Sequence, residues 1–225
     1  LYALVSHWNG SQWQTWKMQD YNFLTSIWGT SSNNIYACGG KGIILHYDGI
    51  SWSKIESGTN IRLADVWGNS KTNEMYFVGG NLSNGEGVLV YFDEKMKRIT
   101  TQTSPQYNDT SIYGRLLGIH GVNDTTIYIV GPHAFVGQQL TWKELLLEND
   151  NTIMEKVRGV KNNLFVTGSF SLVMHYNGKT WRRYEQFYRK PDGDLLVNIW
   201  ESKKRGFIVG RTGSAQGVIY RGAQN

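Results

Sequence analysis

The stretch that decides the fold is SIWGTSSNNIYACGGKGIILHYDGISW, residues 26–52. It reads as an apolar run, a polar turn, a second apolar run closed by Gly, a third apolar run, then Asp-Gly and a Trp. Its first half returns as DVWGNSKTNEMYFVGG (65–80), GIHGVNDTTIYIVG (118–131), KVRGVKNNLFVTG (156–168) and NIWESKKRGFIVG (198–210). Five related copies along one chain indicate a repeat architecture.

The second half of the stretch also recurs, as LVSHWNGSQW (4–13) and LVMHYNGKTW (172–181). Each copy carries Asn-Gly or Asp-Gly between two apolar runs, which is a strong β-hairpin signal. We expect two-residue type I′ turns, with positive φ at both central residues. The aromatic residue and the Trp of each copy are expected to pack one repeat on the next.

Each repeat therefore predicts four short strands, because runs of four to seven residues rich in β-branched and aromatic residues are bounded by Gly and Asn. Four antiparallel strands recurring about every 40–50 residues are typical of a β-propeller blade. We predict an all-β propeller of five four-stranded antiparallel blades, forming one domain over 1–225. The predicted units are 21–60, 61–112, 113–150 and 151–194, with a closing blade from 1–20 and 195–225.

The two ends of the chain leave one question open. Pairing of N- and C-terminal strands would close the ring and remove free sheet edges. However, 1–8 and 217–222 both resemble the third strand of a blade. Either the closing blade carries an extra strand, or the repeat continues beyond this chain. A similar ambiguity concerns TWKELLLEN (141–149), which fits a helix or a fourth strand.

Composition excludes several classes of function. The net charge of +5 is mild, and the basic clusters at 182–183 and 203–205 are short. We interpret both clusters as exposed turns and expect no nucleic-acid partner. The single Cys38 excludes an internal disulfide and is expected to be a buried thiol. No apolar run approaches the ~20 residues of a membrane helix, so we expect no membrane insertion. We also expect a monomer. The chain starts at Leu1 without a recognisable leader, as a trimmed or mature product would.

Residues 27–52 closely match the pattern W-G-S-S-x-x-D-V-Y-A-V-G-x-x-G-x-I-L-H-Y-D-G-x-x-W. The chain resembles a repeat of exported bacterial β-propeller proteins, and it is distantly similar to Asp-box, sialidase-like and photosystem II assembly-factor propellers. This resemblance implies an extracellular or cell-envelope location. At the Asp-box aspartate, however, this chain has Trp8, Tyr47 and Tyr176.

Two repeat positions carry residues with possible chemistry. His7, His46 and His175 share one position, where a metal site competes with a hairpin-capping role. Equivalent positions are spread around a propeller and cannot meet at one zinc, whose ligands lie ~2 Å away, so capping is favoured. The other position carries Trp28, Trp67, His120, Arg158 and Trp200. It could form a platform for sugars, but a wedge between blades is favoured, and Arg158 would then need a buried partner.

Loop lengths predict the binding face. The insertions at 81–87, 101–115, 185–195 and 211–217 all fall on connections from the fourth strand to the next blade or from the second strand to the third. These connections share one face, which we call the loop face, and such one-sided variation marks the binding face of a repeat protein. The candidate ligand-binding residues on this face are Arg62, Asp65, Tyr113, Arg115, His133, Phe135, Lys156, Phe170, Asn198 and Arg211.

The resulting functional hypothesis is a non-enzymatic binding or scaffolding module that presents a protein- or glycan-binding face, with no cofactor, no metal and no catalytic residue. The alternative is a glycosidase or sialidase-like hydrolase. Such an enzyme needs two carboxylates about 5–10 Å apart, and Asp65, Glu86 and Asp194 are the acids available near the channel. A purely architectural spacer is the third possibility.

Overall fold

The computed structural model describes residues 2–19, 23–103, 112–148, 152–187, 193–201 and 205–223. The insertions predicted at 101–115 and 185–195 lie partly outside these described residues. The 203–205 cluster does so as well.

The protein is a five-bladed β-propeller of antiparallel sheets, as the repeats predict. An N-terminal hairpin of β1 (Tyr2–Trp8) and β2 (Trp13–Gln19) precedes the blades. Blade 1 consists of β3 (Leu24–Ser31), β4 (Asn34–Gly39), β5 (Ile44–Tyr47) and β6 (Trp52–Ile55). Blade 2 consists of β7 (Leu63–Asn69), β8 (Glu74–Gly80), β9 (Gly87–Asp93) and β10 (Arg98–Thr103). Blade 3 consists of β11 (Gly118–Gly121), β12 (Ile127–Val130), β13 (Ala134–Gln138) and β14 (Thr141–Leu145). Blade 4 consists of β15 (Met154–Val160), β16 (Asn163–Gly168), β17 (Val173–Tyr176) and β18 (Trp181–Arg183). Blade 5 has β19 (Leu195–Glu201), β20 (Arg205–Arg211) and β21 (Gly217–Ala223).

The hydrophobic core consists of separate layers between neighbouring sheets. Blade 1 contributes Tyr36 and Ile44 to a layer shared with Val66 of blade 2. Trp67 of blade 2 and Ile119 of blade 3 belong to the next layer. Because successive strand residues point to opposite faces, each innermost strand supplies one residue to the layer before it and the next residue to the layer after it.

The hairpin turns differ from the type I′ prediction. Each connects its strands through four residues, and the Asp48 N–H donates to the Ser51 carbonyl at 3.3 Å. The Asp48 carboxylate accepts the N–H groups of Ile50 and Ser51, both at 2.8 Å, and only Gly49 has positive φ, at 97°. The aspartate side chain therefore provides the turn geometry by an Asx turn, and glycine is required at one position only.

Two local ambiguities are decided in favour of strands. Thr141–Leu145 forms β14, the fourth strand of blade 3, and the described part of this segment, 141–148, contains no helix. Arg182 and Arg183 lie on β18 and not in a turn, contrary to our interpretation of that basic cluster. The cluster follows Trp181, whose packing against Tyr176 at a ring-centroid distance of 5.1 Å holds this segment on the sheet.

The two ends form separate sheets among the described residues, β1–β2 and β19–β21. β20 pairs with β19 on one side and with β21 on the other. Both edges of β20 are thus occupied, and β1 has no place beside it. The N-terminal hairpin instead packs on blade 1, where Ala3 and Met18 contact Ala37 and Leu45.

Candidate functional site

A buried carboxylate, Asp65 on β7, lies where four blades meet. It accepts a hydrogen bond from Ser26 Oγ of blade 1 at 2.7 Å and from the Ile119 N–H of blade 3 at 3.1 Å. Arg158 of blade 4 donates to both carboxylate oxygens at 2.9 Å, and Lys156 Nζ lies 3.2 Å away. We call Asp65, Lys156 and Arg158 the hub; it ties the innermost strands together.

The charge of the hub is fixed by its neighbours. Burial alone would raise the pKa of Asp65, but Lys156 and Arg158 lower it to about 2. Burial also lowers the pKa of Lys156, against the attraction of Asp65. A carboxylate held by two cations and a backbone N–H has no proton to give at neutral pH, so Asp65 is unsuited to acid catalysis.

The repeat position of the hub arginine is a wedge between blades, as predicted. Trp28 Nε1 donates to the Gly68 carbonyl of the next blade at 3.0 Å. His120 Nε2 bonds the Gly159 carbonyl at 2.7 Å, and burial lowers the pKa of His120 to about 4. The buried partner that Arg158 requires is Asp65.

Arg62, Arg115 and Glu155 lie beside the hub, since Lys156, Arg115 and Arg62 all act on the carboxyl group of Glu155, and we expect them at the mouth of the central channel on the loop face. The Arg62 carbonyl accepts the Gly80 N–H at 3.1 Å, and a side chain at Gly80 would meet the Arg115 stem. Burial raises the pKa of Glu155, while Lys156, Arg115 and Arg62 oppose that rise. Among the described residues, the hub and mouth together hold four cationic and two acidic side chains, which leaves an excess of positive charge.

Three predicted candidates on blade 3 form one aromatic cluster. The rings of Tyr113 and His133 lie 4.4 Å apart, and Tyr113 contacts Phe135 edge-on at 5.5 Å. His133 Nδ1 lies 3.0 Å from Glu144 Oε1. Phe135 is only 1% exposed and belongs to the core, so it supports Tyr113 and His133 from below and does not itself reach the surface.

The other predicted candidates lie towards blades 4 and 5. Phe170 is 57% exposed and has a left-handed backbone with φ of 53°, which is uncommon for a non-glycine residue. Asn198 and Arg211 are exposed on blade 5. Phe23, 45% exposed and located against Gly40 on the same face, is an aromatic residue that the sequence analysis did not single out.

Two of the three repeated histidines, His46 and His175, link neighbouring strands of their own blades. His46 Nε2 lies 2.7 Å from Asn34 Oδ1 and its ring stacks on Tyr36 at 4.5 Å. His175 bonds Asn163 at 2.5 Å in the same way. Within the described ranges, no three His, Cys, Asp or Glu side chains come together as metal ligands. The helix segments described in this structure include none that is long and apolar enough to span a membrane.

The three acids considered for a hydrolase do not form a catalytic pair. Asp194 is buried and accepts the Tyr220 hydroxyl at 2.7 Å. Glu86 lies in the exposed β8–β9 connection near Asn84. With Asp65 bound in the hub, these three acids do not form a pair of free carboxylates.

A groove of about 640 Å³ on the outer rim between blades 3 and 4 was missed by the sequence analysis. Leu146, Leu147 and Trp181 line it together with Arg182 and Tyr184. Because it combines the end of one blade with the outermost strand of another, nothing within a single repeat indicates it.

Fold and hub together define a β-propeller whose innermost strands are joined by a buried ion cluster. No protein-family model matches the chain, and comparison with curated protein sequences gave no significant match. Among solved structures, YCF48 from Cyanidioschyzon merolae is 14% identical with a TM-score of 0.64, over 97% of this chain and 73% of that one.

Two enzymes share the architecture to a similar degree. An inactive variant of virginiamycin B lyase from Staphylococcus aureus, with quinupristin, is 13% identical with a TM-score of 0.65, over 100% of this chain and 76% of that one. The GH74 enzyme of Niastella koreensis is 12% identical with a TM-score of 0.63, over 89% of this chain and 36% of that one. At these identities the likeness concerns the fold alone, since one fold serves many activities.

Proposed function

We propose that this protein is a non-enzymatic binding or scaffolding module whose loop face takes up an acidic polypeptide segment at the channel mouth. The observation that carries this proposal is the excess of cationic side chains at the hub and mouth. Clefts lined by one sign of charge concentrate ligands of the opposite sign. An exported location, expected from the repeat resemblance, is part of the same proposal.

Exposed aromatic residues around the mouth support a polypeptide ligand. Phe170 and Phe23 lie on the loop face, and the ring of Tyr113 is held by His133 and Phe135. Arginine and aromatic side chains are enriched in protein-binding surfaces. The arginines would pair with carboxylates, and the rings would pack on the apolar side chains between them.

The test is binding of a fluorescent oligoglutamate peptide by the purified protein at low salt. Replacing Arg62→Gln together with Arg115→Gln should weaken binding about tenfold or more, since each exchange removes one positive charge from the mouth. The matched control is Lys95→Gln with Arg98→Gln, which removes the same charge from two exposed residues of the β9–β10 hairpin, at its turn and at the start of β10, on the opposite face. Equal weakening by both pairs would show that the peptide responds to net charge alone and would refute the site.

A glycan ligand predicts a different result. Binding to a neutral-sugar array that persists at high salt, and that is lost in Phe170→Ser, would replace the acidic polypeptide with a carbohydrate as the ligand of this face.

A further inference from the structure

The turn between the second and third strands of blade 4 has an unusual backbone. The Leu172 N–H donates to the Ser169 carbonyl at 3.1 Å, and the two residues between them, Phe170 and Ser171, have left-handed φ values of 53° and 56°. Positive φ at both central residues is the pattern of a type I′ turn, which favours Asn, Asp and Gly. A bulky ring at the first position and a second non-glycine residue at the next are therefore a poor match between sequence and backbone.

Blade 1 forms the same turn with residues that fit it better. The Ile43 N–H donates to the Gly40 carbonyl at 3.2 Å, and Lys41 and Gly42 occupy the central positions with φ of 54° and 68°. Glycine lowers the conformational cost, because it adopts positive φ without steric penalty. Blade 4 has Ser171 at this position, fully buried, and its hydroxyl has no hydrogen-bond partner within the described ranges. A buried hydroxyl without a partner costs further stability.

The ring of Phe170 gives the fold little in return. It is 57% exposed and belongs to none of the hydrophobic clusters formed by the described part of the chain. Phe23, the other exposed aromatic residue on this face, differs, because a Cβ at Gly40 would lie 2.8 Å from its ring. Strained backbone that packing does not repay is concentrated at functional sites. The strain at Phe170 therefore points to binding and not to folding.

Hydrogen bonds on both sides place this turn at the inner end of blade 4. Ser169 donates to the Ile153 carbonyl through its N–H at 3.0 Å and through its hydroxyl at 3.1 Å. The Ser171 N–H donates to the Asp194 carbonyl at 2.7 Å. Ile153 directly precedes the innermost strand of blade 4, and Asp194 directly precedes that of blade 5. Phe170 is thus held on the loop face, where these two innermost strands begin.

We propose that Phe170 is the anchor for one large apolar residue, leucine or an aromatic residue, within the acidic segment. This inference rests on the proposed function, because Arg62 and Arg115 must attract the carboxylates of that segment. Packing the ligand's apolar side chain on the ring removes both from water, which is favourable. A turn already held in its binding conformation loses no further freedom when the ligand binds. The preferred ligand is therefore an acidic segment that contains a large apolar residue, and not a uniformly acidic one.

Two fluorescent peptides of equal length and charge test this anchor, namely an oligoglutamate with a central leucine and one with a central serine. The wild-type protein should bind the leucine peptide about tenfold more tightly, as expected for partial burial of a leucine side chain. Phe170→Asn should bind both peptides equally, with the affinity that the wild-type protein has for the serine peptide. Its melting temperature should stay the same or rise, because asparagine accommodates positive φ.

Two control variants separate the ring from the turn. Ser171→Gly keeps the ring but removes a left-handed serine and its unpartnered hydroxyl, so it should raise the melting temperature by about 2–4 °C and retain the preference for leucine. Lys41→Asn introduces asparagine at the equivalent turn of blade 1, and it should retain that preference as well.

The outcomes distinguish this proposal from the proposed function. Equal affinity of the wild-type protein for both peptides would overturn the anchor and leave the acidic ligand in place, whereas binding of neither peptide would overturn both. A leucine preference that survives in Phe170→Asn, or that Lys41→Asn abolishes, would also overturn the anchor. So would a fall of more than about 4 °C in the melting temperature of Phe170→Asn, since the ring would then support the fold.

Discussion

Neutralising Asp65 should destabilise the propeller more than any other single charge change in the hub. Asp65→Asn leaves the Arg158 guanidinium and the Lys156 ammonium near one another without a counter-charge. Breaking a buried pair by removing one partner costs about 3–5 kcal/mol. The pKa gives an independent lower figure, because a shift from 3.8 to about 2 corresponds to about 2–3 kcal/mol. We therefore expect a loss of about 3–5 kcal/mol in the free energy of unfolding at pH 7.

The pH dependence identifies the cause of that loss. Because folding lowers the pKa of Asp65, its contribution to stability is complete above pH 3.8 and disappears as the pH falls towards 2. The wild-type protein should lose this contribution over that interval, and Asp65→Asn should not. The difference in unfolding free energy between the two proteins should therefore narrow with acidification.

Urea unfolding followed by tryptophan fluorescence, between pH 7 and pH 2, measures both quantities. The matched control is Lys156→Met, which leaves Asp65 paired with both nitrogens of Arg158 and should therefore cost less than Asp65→Asn, because no buried charge is left without a partner. The reasoning fails if Asp65→Asn costs less than Lys156→Met, or if the gap between wild type and Asp65→Asn stays constant with pH.

Three further predictions concern the packing of the blades. Burial lowers the pKa of His120 from 6.5 to about 4 in the folded protein. Lowering the pH from 6.5 to 4 should therefore remove about 3 kcal/mol from the free energy of unfolding. An equal loss of unfolding free energy in a His120→Gln variant over that range would contradict this. Cys38 is buried with its pKa raised to about 12 by burial, so a thiol reagent should label it only at the rate of unfolding, and rapid labelling of the folded protein would be inconsistent with the structure. Gly121→Ala would place a Cβ against the Trp67 ring, too close for both to keep their positions, and should cost about 1–3 kcal/mol in urea unfolding, whereas Gly222→Ala, which meets nothing within 4 Å, should be neutral.

The architecture could be predicted from the sequence because a propeller repeats the same local chemistry. Each copy carries its own strand pattern and turn residues, so five copies point to the same fold. The wedge role of the position occupied by Trp28 and Arg158 followed from that repetition, as did the need of Arg158 for a buried partner. The geometry of the turn at Gly49 did not follow, because Asp48 replaces backbone strain with side-chain hydrogen bonds.

The site was harder to predict, because its residues differ from one blade to the next. Asp65 was recognised as a residue near the channel, but its burial depends on Arg158, which lies 93 positions further along the chain. Phe135 was placed on the binding face, although the register of β13 turns its ring into the core. The rim groove combines side chains of blades 3 and 4. Such features depend on how blades meet and not on what a repeat contains.

The hub also limits how early this protein can finish folding during its synthesis. The carboxylate that joins four blades is synthesised 93 residues before the guanidinium that neutralises it. At translation rates of roughly 5–20 residues per second, Asp65 spends roughly 5–20 s outside the ribosome's active centre before Arg158 has been added to the chain. Blades 1 and 2 are complete in sequence during that interval, but their inner ends must stay hydrated. Burial of the propeller axis therefore cannot be complete before Arg158 of blade 4 has been added to the chain.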